Sequence, residues 1–368
     1  MKSIMILLDG IQDQSYEELG GKTPLQAGGR ESFAQFERES ATARFITSVP
    51  GRETDTLICT LMLLGVKEAE LPTGRSSLEA FAENFPFERE DLILRCSFIK
   101  VNEENRIEDP CCTPPEEIAK ALMEEVTARH QTPLKRIGGY KCLQCVPKGN
   151  QWLQGFNAHP AHDCTGWRIK DAVPSGNQLA EQMAATTLAL LERYRPYTVL
   201  NWAPSAYEEL PSFQQLWGMT GGMVTKTLVL EGIARAMEMD CPVVEGATGD
   251  IDTNLTAKSD ATLKLLEQKD FVLLHIGGTD EATHRHNPVE KAEFITRIDR
   301  ELLRPIVEGC PNGTRIMLTS DHWALCSTSG HTDDPVHAYL WENGALHQGD
   351  FGTLSGNEAI KLLCSDRW

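Results

Sequence analysis

The chain has 368 residues, 41% of them apolar, and a formal net charge of −18. That length suits a core with a smaller appended unit, and the apolar content is enough to bury a sizeable interior without staples. The acidity, with no segregated run of Lys or Arg, argues against nucleic acid and anionic membrane surfaces as partners.

Met1-Lys2-Ser3 leads directly into Ile4 to Leu8, an aliphatic run too short for a signal peptide or a membrane span. It reads as a buried parallel strand that delivers Asp9 to the C-terminal edge of a sheet, where open α/β folds place their ligands. Pro50 to Thr56 precede an apolar helical stretch, Leu57 to Leu64. Thr54 therefore stands at a helix start, where its hydroxyl serves equally well as an N-cap or as a nucleophile. From about 103 the strand and helix rhythm breaks, opening with Asp109-Pro110-Cys111-Cys112-Thr113-Pro114-Pro115. This predicts a smaller α+β domain inserted over 103–199, between core segments 1–102 and 200–368.

Within that insert Cys142 and Cys145 have the spacing of a zinc knuckle or redox pair, but no second pair completes it, so a structural role is expected. The eleven cysteines are irregularly spaced, which implies free thiols and a reducing cytoplasm. Helical periodicity returns over Leu228 to Met239 and Asn254 to Glu267, with Pro242-Val243-Val244 between them as a strand candidate. Phe271 to Ile276 repeats the opening pattern before Gly277-Gly278-Thr279-Asp280. Asn287-Pro288-Val289-Glu290 then starts a helix with Asn as cap, and Pro305 should kink its end. Arg315 to Thr319 is a third aliphatic run, ending in Ser320-Asp321-His322. Alternation of this kind predicts a doubly wound α/β sheet with three acids on one edge.

Six of the ten histidines lie between 275 and 337, mixed with acids in a way that suits zinc or manganese. Asp280 and His284, one helical turn apart, can share an ion with His331 from the next loop; Asp321 and His322 can hold a second beside Asp9. Two divalent metal ions about 3.5 to 4 Å apart can grip the attacking and leaving oxygens of a phosphoryl group. His275, inside a strand, is expected to be a hydrogen-bonded core residue. His286 and His337 receive no role.

Leu8-Asp9-Gly10 with Glu18 to Leu25, Thr54-Asp55-Thr56 followed by Leu63-Leu64-Gly65, Thr73-Gly74-Arg75 with Leu78-Glu79-Ala80, Gly246 to Gly249 with Asp252-Thr253-Asn254, Asp280 to His284, and Ser320-Asp321-His322 through Val336 come in a recognisable order. In these stretches the chain resembles the archaeal-type cofactor-independent (2,3-bisphosphoglycerate-independent) phosphoglycerate mutases of the alkaline phosphatase superfamily. The resemblance implies an alkaline-phosphatase-like core, one metal on Asp280, His284 and His331, and a second on Asp9, Asp321 and His322. It places Thr54 at the nucleophile position, bridging toward the second metal, where family enzymes usually carry serine. Attack by Thr54 on a small phosphorylated metabolite would then form a phosphothreonine.

The chain departs from the family pattern where the substrate is held. The family histidine shortly after the nucleophile falls at Ile58, and two arginine-containing segments are thinned to Asn102 to Arg106 and Ala203 to Glu209. Bidentate arginine is the usual grip on a carboxylate, so its loss weakens the mutase assignment without touching the metals. Arg75, Arg106 and Lys258 are the remaining candidate phosphate or carboxylate binders. The leading expectation is interconversion of 3-phosphoglycerate and 2-phosphoglycerate. The alternatives are a metal-dependent phosphatase or phosphonate hydrolase and an inactive metabolite-binding paralogue.

Overall fold

The three aliphatic runs meet at the centre of one sheet. A computed structural model describes residues 2–365. In chain order its strands are β1 (Ser3–Leu8), β2 (Ala41–Ile46), β3 (Leu92–Val101), β4 (Ile107–Asp109), β5 (Leu134–Gly138), β6 (Lys141–Val146), β7 (Tyr197–Ala206), β8 (Gly221–Val224), β9 (Phe271–Ile276), β10 (Arg315–Thr319), β11 (Trp323–Leu325), β12 (Gly330–Thr332), β13 (Val336–Glu342) and β14 (Asp350–Ser355). Seven of them form a mixed sheet in the order β14-β2-β13-β10-β1-β9-β8. β1 is flanked by β9 and β10, both parallel to it, with Leu8 opposite Ile276 and Leu7 opposite Thr319. Asp9, Gly277 and Ser320 therefore leave the sheet side by side.

Both faces of this sheet are covered. Ile4, Ile6 and Leu8 point into a core with Phe33, Phe36, Ile295 and Ile298. Met5 and Leu7, directed to the other face by strand alternation, are just as buried. Unbroken apolar runs are what a doubly covered parallel strand requires, and the expected doubly wound α/β core is present. Asn287 caps the helix Pro288–Ile298 by accepting from the Glu290 N–H. The disturbance expected near Pro305 takes the form of a π turn over Asp299–Leu303; proline lacks the N–H that a regular helix would use there.

The Pro242-Val243-Val244 expectation is corrected: these residues form no strand, and Val243 is 97% exposed. The strand that enters the helix Leu228–Ala236 is β8, immediately upstream. An apolar pair after proline carries no strand signal unless something covers it.

The chain divides into two compact units, residues 1–71 with 210–368 and residues 72–209. The second unit starts at 72 and ends at 209, where the sequence placed an insert over 103–199. The difference lies in β3 and β7, which pair antiparallel with each other along almost their full length and do not join the core sheet. β6 lies on the other side of β3 and carries β5 at its edge. The helices Glu116–His130 and Gln178–Tyr194 make this unit α+β. Cys142 and Cys145 sit three apart on β6, so strand alternation sends them to opposite faces. Cys145 instead donates to Asp91, and all eleven cysteines are free.

Candidate metal centre

Acids and imidazoles gather at the C-terminal edge of β9-β1-β10. Asp9 lies in the turn after β1, its N–H held by the Ile276 carbonyl at 3.0 Å and its carbonyl by the Thr279 hydroxyl. Gly10 follows with φ +58°, and a Cβ there would come within 3.0 Å of the Asp280 carboxylate and 2.6 Å of Ala324. Glycine is thus what lets the Asp9 turn pack against Asp280. Asp321 accepts from the Gly10 and His322 N–H groups through Oδ1. These bonds leave Oδ2 for something else.

Ligand atoms of Asp9, Asp321 and His322 lie within 4.8 Å of one another, as do those of Asp280, His322 and His331. His322 Nε2 is 3.4 Å from Asp9 Oδ1 and 3.3 Å from Asp321 Oδ2, but without hydrogen-bond alignment. Asp9 Oδ1, Asp321 Oδ2 and both His322 ring nitrogens are buried with no hydrogen-bond partner. Such orphaned groups are costly in an interior. Their number and chemistry fit a cation held by mixed N/O donors.

Asp280 lies in the short helix Gly278–His284 and reaches His331 Nε2 at 3.2 Å through Oδ1 and His284 Nε2 at 3.1 Å through Oδ2. His331 Nδ1 donates to the Thr54 carbonyl at 2.8 Å. A carbonyl can only accept, so Nδ1 carries a proton, and Nε2, which bonds the Asp280 carboxylate, becomes a ligand atom when its own proton leaves. The ring also stacks on His322 at 3.8 Å. His284 is the outlying imidazole, its side chain 44% exposed, whereas His322 sits between both groups.

Burial, with Asp321 and Asp280 close by, raises the Asp9 carboxyl well above its ordinary range. Burial also acts on Asp280, but hydrogen bonds from His284 and His331 hold it well below. Burial lowers His331 too, and its hydrogen bond to Asp280 overcomes this and lifts it to about 9. His284 is raised, chiefly by its hydrogen bond to Asp280. His322 is lowered by burial, and His275 falls to about 3 for the same reason. An edge where one acid resists ionising and another needs imidazolium partners is short of positive charge, which divalent cations would supply.

Thr54 is next to this edge through its carbonyl bond to His331, and its hydroxyl donates to Asp333. It is not the cap of the following helix. Asp55 caps Thr56–Leu63 by accepting from the Ile58 N–H, which removes the capping alternative for Thr54. Ile58 is buried in the core.

Each of the three expected anion binders is engaged by a partner within its own unit. Lys258 is fully buried, donates to the Thr248 and His275 carbonyls, and is lowered to about 8 by burial. In the inserted unit Arg75 is bound to Glu79 at 2.9 Å, and Arg106 is engaged by the Gly166 carbonyl at 2.8 Å.

Three residues to which the sequence assigned no part in the site touch it. Besides Asp333, Thr56 lies 3.4 Å from Asp9 Oδ2. His275 is a core histidine as expected, but its Nε2 meets the same Asp9 oxygen at 2.9 Å. With its pKa so low the ring is neutral, and the hydrogen bond between its Nε2 and Oδ2 orients the Asp9 carboxyl group. The signal was the position of His275, one residue before the end of the strand beside β1.

A family model described as Metalloenzyme superfamily matches residues 1–361. The 2,3-bisphosphoglycerate-independent phosphoglycerate mutase of Methanopyrus kandleri is 29% identical, over 98% of this chain and 95% of its own length. The probable enzyme of the same name from Geobacter sulfurreducens is also 29% identical, over 93% and 90%. Among solved structures, the PH0037 protein of Pyrococcus horikoshii aligns with TM-score 0.78 and 23% identity, covering 100% of this chain and 98% of its own. The cofactor-independent phosphoglycerate mutase of Thermoplasma acidophilum aligns with TM-score 0.60 and 20% identity, covering 99% of each. The two structures share the fold, and the curated relatives carry the name of the resembled family.

Proposed function

The chain belongs to the metalloenzyme superfamily, and we propose that it transfers a phosphoryl group through a phosphothreonine at Thr54, interconverting 3-phosphoglycerate and 2-phosphoglycerate as its named relatives do. The observation that carries this reading is the set of four orphaned ligand atoms on Asp9, Asp321 and His322. One divalent ion, manganese or zinc, would be held by Asp280, His284 and His331, and a second by Asp9, Asp321 and His322. When bound, such a pair supplies Lewis acidity toward a phosphate ester.

Thr54 is the attacking group. As its oxygen bonds to phosphorus the ester oxygen leaves, and Asp333, which already accepts the Thr54 hydroxyl hydrogen bond, is the base positioned to take the proton. Return of the phosphoryl group to the other glycerate hydroxyl completes a mutase cycle; return to water makes a phosphatase. The eleven free cysteines support a reducing, cytoplasmic setting, and no helix among the described residues is long and apolar enough to cross a membrane.

The hydrolase reading is favoured by the state of the arginines. Arg75 is tied to Glu79, and Arg106 to a carbonyl. Neither is an uncommitted fork for a glycerate carboxylate. Incubating the manganese-loaded chain with 3-phosphoglycerate decides between the two. The mutase reading expects 2-phosphoglycerate with little free phosphate, and phosphate release without isomerisation would replace it with the hydrolase.

A further inference from the structure

Lys291 and Asp13 form an ion pair at 3.0 Å whose two side chains are fully buried. The lysine lies on the helix Pro288–Ile298, which carries none of the candidate ligands. A buried pair of this kind gives little net stability relative to apolar packing, so its partners matter more than its presence. The Lys291 ammonium has three N–H donors and three acceptors. They are Asp13 Oδ2 at 3.0 Å, Thr283 Oγ1 at 2.9 Å and the Ala324 carbonyl at 2.9 Å.

Each acceptor belongs to a different ligand-bearing segment. Asp13 is four residues beyond Asp9. Thr283 lies between Asp280 and His284, and its own hydroxyl donates to the Thr279 carbonyl, whose residue in turn holds the Asp9 carbonyl. Ala324 lies on β11 directly opposite His331 on β12, two residues past His322. Asp13 is braced in turn by the Tyr16 hydroxyl at 2.5 Å and by the Cys326 N–H at 3.3 Å.

We infer that Lys291, with Asp13 as its counter-charge, is a positioning residue for the metal centre: one ammonium fixes the Asp9 turn, the Asp280 helix and the His331 hairpin relative to one another. This rests on the metal reading above. Groups that hydrogen-bond the ligands themselves commonly change metal affinity about tenfold to a hundredfold, and Lys291, one bond further out, is expected at the lower end of that range.

The test is a cobalt(II) titration of the chelator-stripped full chain, followed by calorimetry and by the visible absorption that reports cobalt coordination. Lys291→Met should weaken uptake by about tenfold and alter the bands. Because that change strands a buried acid, Thr283→Val is run beside it, removing one acceptor while the ion pair stays. It should weaken uptake in the same way, and Thr283→Ser, which keeps the hydroxyl, should restore it. Valine and serine variants with equally weak uptake would make the effect one of packing and overturn the inference. So would a Thr283→Val chain with wild-type affinity and spectrum. A wild-type chain that takes up no cobalt would instead overturn the metal reading on which the inference stands.

Discussion

In the inserted unit the buried Glu79 is gripped by Arg95, at 2.6 Å through the Arg95 Nε, and by Arg75, and the Arg95 guanidinium lies 5.2 Å from the Trp202 ring. At the strand edge of the core unit Asp9, Asp321 and His322 are equally buried, yet four of their polar atoms are unbonded. In the insert, among the described residues, the one buried side-chain atom left in that state is His130 Nε2. The insert answers its buried charge with its own side chains, as the core does at Lys291 and Asp13, whereas this strand edge leaves its charge to be answered from outside. Internal neutralisation marks a structural ion pair, and convergent orphaned donors mark a binding site.

Removing the proposed nucleophile breaks this contrast most forcefully from the core side. Thr54→Ala should cut turnover of 3-phosphoglycerate at least about a thousandfold. Its melting temperature should match wild type, because Asp55, not Thr54, caps the adjoining helix. A variant that keeps substantial turnover would move the chemistry to another oxygen.

The insert is expected to fail differently. Glu79→Gln strands the nearly buried Arg95 without its counter-charge, and breaking a buried pair in this way costs about 3 kcal/mol or more. Denaturant unfolding should report that loss while the bound cations per chain stay unchanged. Lost metal in this variant would mean that the two units do not divide their roles as described.

The contrast sharpens with pH, where the effects are smaller and opposite in sign. Glu79 is held below its ordinary 4.5 by Arg95 and Arg75 against the cost of burial, so its stabilisation is present above about 4.5 and is lost as acid protonates it. His331 is lifted from 6.5 to about 9, so in chelator its pairing with Asp280 stabilises the fold fully below about 6.5 and is lost as pH rises through 9. Melting curves of the chelated chain should fall across that alkaline window, and cation uptake should improve across it, because a proton on Nε2 competes with metal. A flat profile from 6.5 to 9 would remove His331 from the account.

The core announced itself because a strand buried on both faces must read as an unbroken apolar run, so Ile4 to Leu8 and Arg315 to Thr319 located Asp9 and Asp321 without any contact being known. The same grammar misplaced the start of the insert. The run in β3 shows that a strand exists but not which sheet it joins, and only its pairing with β7 assigns it. Helical spacing matched Asp280 with His284, a local pair. It had no means of showing that His322 lies between both ligand groups, or that Lys291 meets Asp13 across 278 residues. Local periodicity reports which face a residue takes. Convergence of distant segments is a property of the packed fold.

The most direct test of the central claim is an anomalous difference map from a crystal soaked in manganese. The account predicts two peaks roughly 3.5 to 4 Å apart, one among Asp280, His284 and His331 and one among Asp9, Asp321 and His322, with Thr54 beside them. A map with no peak at this edge, or with manganese only on surface carboxylates, would contradict it.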